Sequence, residues 1–125
     1  MVNSLLLLVY LVIPPTHGSL CAAEDPDFDE YRYEEAIPHC MRNVSTERKI
    51  EICLRDGIKD RTEFTVDHII PLAFGGSNRD DNLWCQHKSL AVTGLEYQLY
   101  KKLDAGEIKQ HEAIDMILDA KLGRH

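Results

Sequence analysis

The chain has 125 residues, 44% of them hydrophobic, with 21 acidic and 14 basic side chains and a formal charge of -7. That length holds one domain of about 100 to 150 residues and excludes a two-domain enzyme, and the composition is that of a globular protein. The negative charge excludes a protein that coats nucleic acid by bulk electrostatics, so any contact with a polyanion must be local.

Residues 1–23 contain no Lys, Arg, Asp or Glu, and Leu5 to Ile13 is a continuous apolar run. It is too short to cross a bilayer as a helix. Pro14, Pro15 and small residues follow it, as in an export signal, with cleavage expected near Ala22 or Ala23. The mature protein is therefore expected to be secreted or periplasmic, without stable membrane association. The stretch 24–35 holds seven acids (Glu24, Asp25, Asp27, Asp29, Glu30, Glu34 and Glu35) against Arg32 alone, and reads as a flexible acidic leader. Residues 36–125 are left with 14 acids and 13 bases, a nearly neutral body forming the expected domain.

Removal of the leader would leave Cys40, Cys53 and Cys85, and an oxidising compartment favours a disulfide among them. Cys40 with Cys53 is the expected bridge. No two-residue-spaced pair is present, which argues against a zinc-finger site. Ser45 can cap a helix running to about Asp56, with Ile50, Cys53 and Leu54 on one face and Gly57 as its stop. Glu63 to Val66 alternates like a strand and continues into Asp67-His68-Ile69-Ile70 before Pro71. A loop centred on Gly75-Gly76-Ser77-Asn78 follows, and Asn82 to Cys85 can pair back as a second strand. The connection is long for a hairpin, as functional connections are. Leu95, Leu99 and Leu103 mark the next helix, and Ala113, Ile114, Ile117 and Ala120 the last, with Gly106 and Gly123 at the breaks.

The chemistry concentrates on Asp67 and His68. A carboxylate that holds a divalent cation, beside an imidazole that deprotonates water, is the minimum apparatus for hydrolysing a phosphodiester. Adjacent strand residues point to opposite faces, so the strand must bend for both to serve one site. Asn82 is placed to fix the imidazole tautomer through a hydrogen bond.

The run Val66-Asp67-His68-Ile69-Ile70-Pro71-Leu72, then Gly75-Gly76-Ser77-Asn78, then Asp81-Asn82-Leu83-Trp84 resembles the HNH endonuclease signature, over about Thr62 to Leu122. The resemblance implies an α+β fold, a two-stranded hairpin and a helix around one divalent metal ion, with flanking helices. It implies His68 as general base, Asp67 as a metal ligand and Asn82 as the residue that orients the base. The chain departs from many relatives at Ala91, where they carry a ligating His or Asn. Glu96 is the first replacement, its hard oxygen suiting Mg²⁺ or Mn²⁺ ahead of Zn²⁺ or Ni²⁺, although Thr93 to Glu96 equally fits a capping box. His87 is a further metal candidate. His39, His111 and His125 are read as surface or structural.

The resemblance implies an enzyme acting on nucleic acid, DNA ahead of RNA, as a monomer. Arg42, Arg79 and Lys88 are candidates for phosphate contact. So few charges predict salt-dependent binding with little base reading. The rival reading is a noncatalytic secreted domain that binds nucleic acid or protein on the same fold.

Overall fold

The computed structural model describes residues 13–123, so residues 5–12 of the apolar run and His125 lie outside the described part. Among the described residues the fold is α+β, with two antiparallel strand pairs and three α-helices. In chain order these are β1 (Phe28–Arg32), β2 (Ile37–Cys40), α1 (Thr46–Arg55), β3 (Phe64–His68), β4 (Leu83–His87), α2 (Thr93–Asp104) and α3 (Gln110–Leu122). β1 pairs with β2, and β3 pairs with β4 in a register that sets Asp67 opposite Trp84 and Phe64 opposite His87.

The stretch expected to be a flexible acidic leader holds β1 instead. Its acids have specific partners, which is the physical reason. Asp25 accepts from the Ala22 amide and pairs with Arg79, Asp27 accepts from the side chains of Asn43 and Asn78, and Asp29 meets His39 at 2.7 Å. Charge that reads as solvated in a linear sequence is here used to anchor a hairpin.

Ser45 caps α1, its hydroxyl accepting from the Arg48 amide at 3.1 Å. The buried face of α1 is rotated from the expected one: Ile52 and Cys53 turn inward, while Ile50 and Leu54 are exposed. A Cys53–Cys85 disulfide ties the helix to β4, and the cluster of Cys53, Cys85 and Ile58 fills the gap between them. The expected Cys40–Cys53 bridge is therefore wrong. Cys40 lies at the end of β2 and is joined to Cys21, with a Cα–Cα distance of 5.8 Å. Cys40 and Cys53 face different partners, and cleavage near Ala22 or Ala23 would have removed Cys21.

The main core lies on the other side of the β3–β4 hairpin. Ile69, Phe74 and Trp84 pack there with Leu99 and Leu103 of α2 and Ala113, Ile117 and Leu118 of α3. The β3–β4 connection folds back over this core through a short 3₁₀ turn, Leu72–Phe74. Two glycines permit the close return. A Cβ on Gly75, whose φ is +89°, would meet the Gln110 side chain at 2.5 Å and Ile37 at 2.7 Å, and a Cβ on Gly76 would collide with the Ile70 carbonyl.

Candidate active site

His68 closes β3 and is buried at 5% exposure. Its Nε2 lies 2.9 Å from Oδ1 of Asn78. The orientation of that amide is fixed from behind, because Nδ2 of Asn78 donates to Asp27 at 3.0 Å and to the Met41 carbonyl at 2.7 Å. Oδ1 can then only accept, so Nε2 of a neutral imidazole carries the proton and Nδ1 keeps the lone pair. Burial, with the charges of Arg42 and Lys121, pulls the His68 pKa below its ordinary value of 6.5, although Asn78 and Asp67 oppose it. A lowered pKa keeps the ring neutral at neutral pH, the form a general base needs.

Asn82 does not orient that ring. Fully buried, it makes all its hydrogen bonds to backbone: Oδ1 accepts from the amides of Ile70 and Ser19, and Nδ2 donates to the carbonyls of Ile70 and Ser77. It staples the two ends of the β3–β4 connection together. Asn78, ten residues after His68 and inside the Gly-Gly-Ser-Asn run, makes the contact expected of Asn82.

Asp67 points to the other side of β3, as strand alternation requires. Its Oδ2 accepts from the Trp84 indole at 2.9 Å and from Nζ of Lys121 at 2.8 Å, while Oδ1 has no hydrogen bond among the described residues. Lys121 also donates to the carbonyls of His68 and Ile69, so this lysine holds the strand end against α3. Sequence reading missed Lys121. The available signal was its spacing, four residues beyond Ile117 and eight beyond Ala113, which puts a charge in line with the buried stripe of α3.

Breaking this ion pair should be costly, since the Lys121 side chain is 1% exposed and that of Asp67 21%. Removing one partner of a buried pair typically costs about 3–5 kcal/mol. Partial exposure and the surviving Trp84 bond place Lys121→Met at roughly 2–3 kcal/mol. The urea midpoint measures this, and an unchanged midpoint would count against the role given to Lys121.

Glu96 settles in a different place from a cap. The start of α2 is capped by no side chain, and the Glu96 carboxylate has no hydrogen bond or ion pair among the described residues. Its half-buried carboxyl is instead close enough to Lys121, Asp67 and Arg42 to feel their charges, and burial raises its pKa above 4.5. The charge of Arg42 lowers the pKa of both Glu96 and His68, in each case less strongly than burial acts on it. The guanidinium is exposed, with no hydrogen bond among the described residues, and its backbone is placed by Met41, whose amide donates to Asp27.

Three other candidates lie apart from this neighbourhood. His87 pairs with Phe64 at the far end of the hairpin, about 10 Å along the strand from Asp67. Its ring packs on Phe64 and its Nδ1 bonds Ser89. Lys88 donates to the Thr62 carbonyl beside it. Arg79 is committed to Asp25 and the Leu20 carbonyl. Arg79 is near the hairpin in sequence, but its side chain is turned to the segment before β1.

Residues 51–87 match a family model described as HNH endonuclease. The match covers less than a third of the chain and supports an HNH assignment for this segment. The HNH segment contains Asp67, His68, Asn78, Asn82 and Trp84; Arg42, Glu96 and Lys121 lie outside it. The chain has no significant match among curated proteins or among solved structures.

HNH domains generally hold a divalent metal, and the donor set around β3 is suited to one. Asp67 Oδ1 and the Glu96 carboxylate are hard oxygens without hydrogen-bonding partners among the described residues, and Mg²⁺ is commonly held by one or two carboxylates with water and phosphate completing its shell. The cluster of Cys21, Asp25 and Cys40 is not suited, because both sulfurs are consumed in a disulfide.

Proposed function

We propose that the protein is a metal-dependent endonuclease that hydrolyses phosphodiester bonds, DNA ahead of RNA, with little sequence preference. The observation that carries this reading is a buried imidazole with Nε2–H fixed on Asn78 and no hydrogen bond to Nδ1 among the described residues, at the strand end that also carries Asp67. His68 Nδ1 takes the proton from an attacking water. Asn78 and Asp27 keep the imidazole in the required tautomer as positive charge develops on it. Asp67 and Glu96 would hold the divalent ion, Mg²⁺ or Mn²⁺ by donor type, which supplies neutralisation of the charge growing on the phosphate and the leaving oxygen. Arg42 contacts the phosphate from the solvent side.

Glu96 borders a groove of about 380 Å³ lined also by Arg32, Ala73, Thr93, Tyr97 and Tyr100. We read this groove as the path of the strand being cut, with Tyr97 able to stack on a base. The near-neutral charge of residues 36–125, 14 acids against 13 bases, fits a nonspecific, salt-sensitive contact.

One observation favours the noncatalytic reading: Lys121 already neutralises Asp67. Plasmid DNA separates the two. With Mg²⁺ or Mn²⁺ the plasmid should be degraded, and excess chelator should stop degradation. Glu96→Gln, which keeps the shape and removes the charge, should lower the rate at least tenfold at limiting metal and recover partly at high metal. Intact plasmid with both ions would support a binding domain.

Two disulfides among the described residues suit an oxidising, extracellular environment. No helix among those residues is long and apolar enough to cross a membrane. We propose that the protein is secreted or periplasmic and monomeric.

A further inference from the structure

The segment between the apolar run and β1 packs against the β3–β4 connection; upstream of Ser19 its side-chain bond to that connection among the described residues runs from the Thr16 hydroxyl to the Asp81 carbonyl. The Ser19 amide donates to Asn82 Oδ1 at 3.2 Å, and its hydroxyl lies 2.7 Å from the Ser77 hydroxyl and donates to Asp81 at 2.5 Å. Leu20 bridges to Gly76, the Cys21 amide donates to the Gly75 carbonyl at 2.8 Å, and the Ser77 amide donates to the Ser19 carbonyl at 3.1 Å. Cys21 then closes the disulfide with Cys40. Cleavage after Ala22 or Ala23 would discard every one of these contacts. It would also leave Cys40 as an unpaired thiol in an oxidising compartment, since Cys53 and Cys85 bond each other.

An export peptidase requires small residues at the first and third positions before the cut. Upstream of Cys21, a cut after Leu20 puts leucine at the first position, and a cut after Ser19 puts His17 at the third. A cut after Thr16 puts Pro14 at the third. A cut after Gly18 presents Thr16 and Gly18, both small, a few residues beyond the apolar run and its two prolines.

We propose that export processing hydrolyses the Gly18–Ser19 peptide bond, so that the mature chain begins at Ser19 and keeps the Cys21–Cys40 disulfide. Water adds across that amide; Gly18 leaves as the carboxylate end of the leader, and Ser19 retains the amine as an α-ammonium. The new charge lies where the Ser19 amide already faces an amide oxygen and where its own side chain meets the Asp81 carboxylate. A neutral hydrogen bond at the back of the β3–β4 connection becomes a charge-assisted one. The inference depends on the leader being an export signal and is independent of nuclease activity.

The test is to express the full chain with its own leader in a secreting bacterial host and to determine the N-terminus and the non-reduced mass of the exported protein. The expected product starts at Ser19, and a tryptic map shows Cys21 linked to Cys40. A start at any other residue overturns the proposal. Gly18→Leu should abolish the Ser19 start, whereas Ala23→Leu should leave it unchanged. Because processing is read from the N-terminal sequence, a variant that folds poorly still reports the cut. An undiminished Ser19 start in Gly18→Leu would also overturn the assignment.

Discussion

Replacing His68 by alanine is expected to lower the metal-dependent rate of plasmid cleavage by about 10²–10⁴-fold, the range a positioned general base contributes. The ring is buried and held by one side-chain hydrogen bond, to Asn78. Its loss leaves Asn78 with its bonds to Asp27, to the Met41 carbonyl and to the Asn43 amide, so the fold should survive. The check is cleavage rate beside a circular dichroism spectrum and melting curve. A companion substitution sharpens the reading. Asn78→Asp keeps an acceptor at Nε2 and discards the two donated bonds that fix the amide, so it should slow cleavage less than His68→Ala. Full activity in His68→Ala would remove the base from the mechanism, whatever the metal dependence.

The second large effect is structural. Asn82→Ala removes four hydrogen bonds at a fully buried position and strands the Ile70 amide, the Ile70 and Ser77 carbonyls and the Ser19 amide. A buried polar group without a partner costs about 1–3 kcal/mol, so a total of roughly 3–5 kcal/mol is expected after partial relaxation. That is a large share of the stability of a domain this size. The urea midpoint should fall sharply, and the variant should lose activity because the connection carrying Asn78 is no longer held. Activity lost with an unchanged midpoint would instead return Asn82 to the role of orienting the base.

These two variants separate roles that sequence reading joined. An asparagine at the start of a strand, fourteen residues after a histidine, fits either task by spacing alone. What decides is which amide the folded connection turns toward the ring. The turn at Gly75 and Gly76 brings Asn78 to His68 and leaves Asn82 facing backbone. Glu96 fits a cap or a ligand by spacing alone, and α2 begins with no side-chain cap. His87 lies only five residues past Asn82, but an extended strand carries it away from Asp67 along the hairpin.

The sequence by itself determined the α+β class, the position of the β3–β4 hairpin, the three helices and the placing of Asp67 and His68 at one strand end. Those features are local: alternation, caps, glycine breaks and a motif with fixed spacing leave little for distant residues to change. Only the tertiary structure decided the disulfide partners, the buried face of α1, the ordering of the acidic stretch, and the arrival of Lys121, Asn78 and Arg42 around β3. Each of these depends on contacts between residues far apart in the chain. Side-chain direction at such contacts is set by how the elements pack, and local patterning carries no record of it.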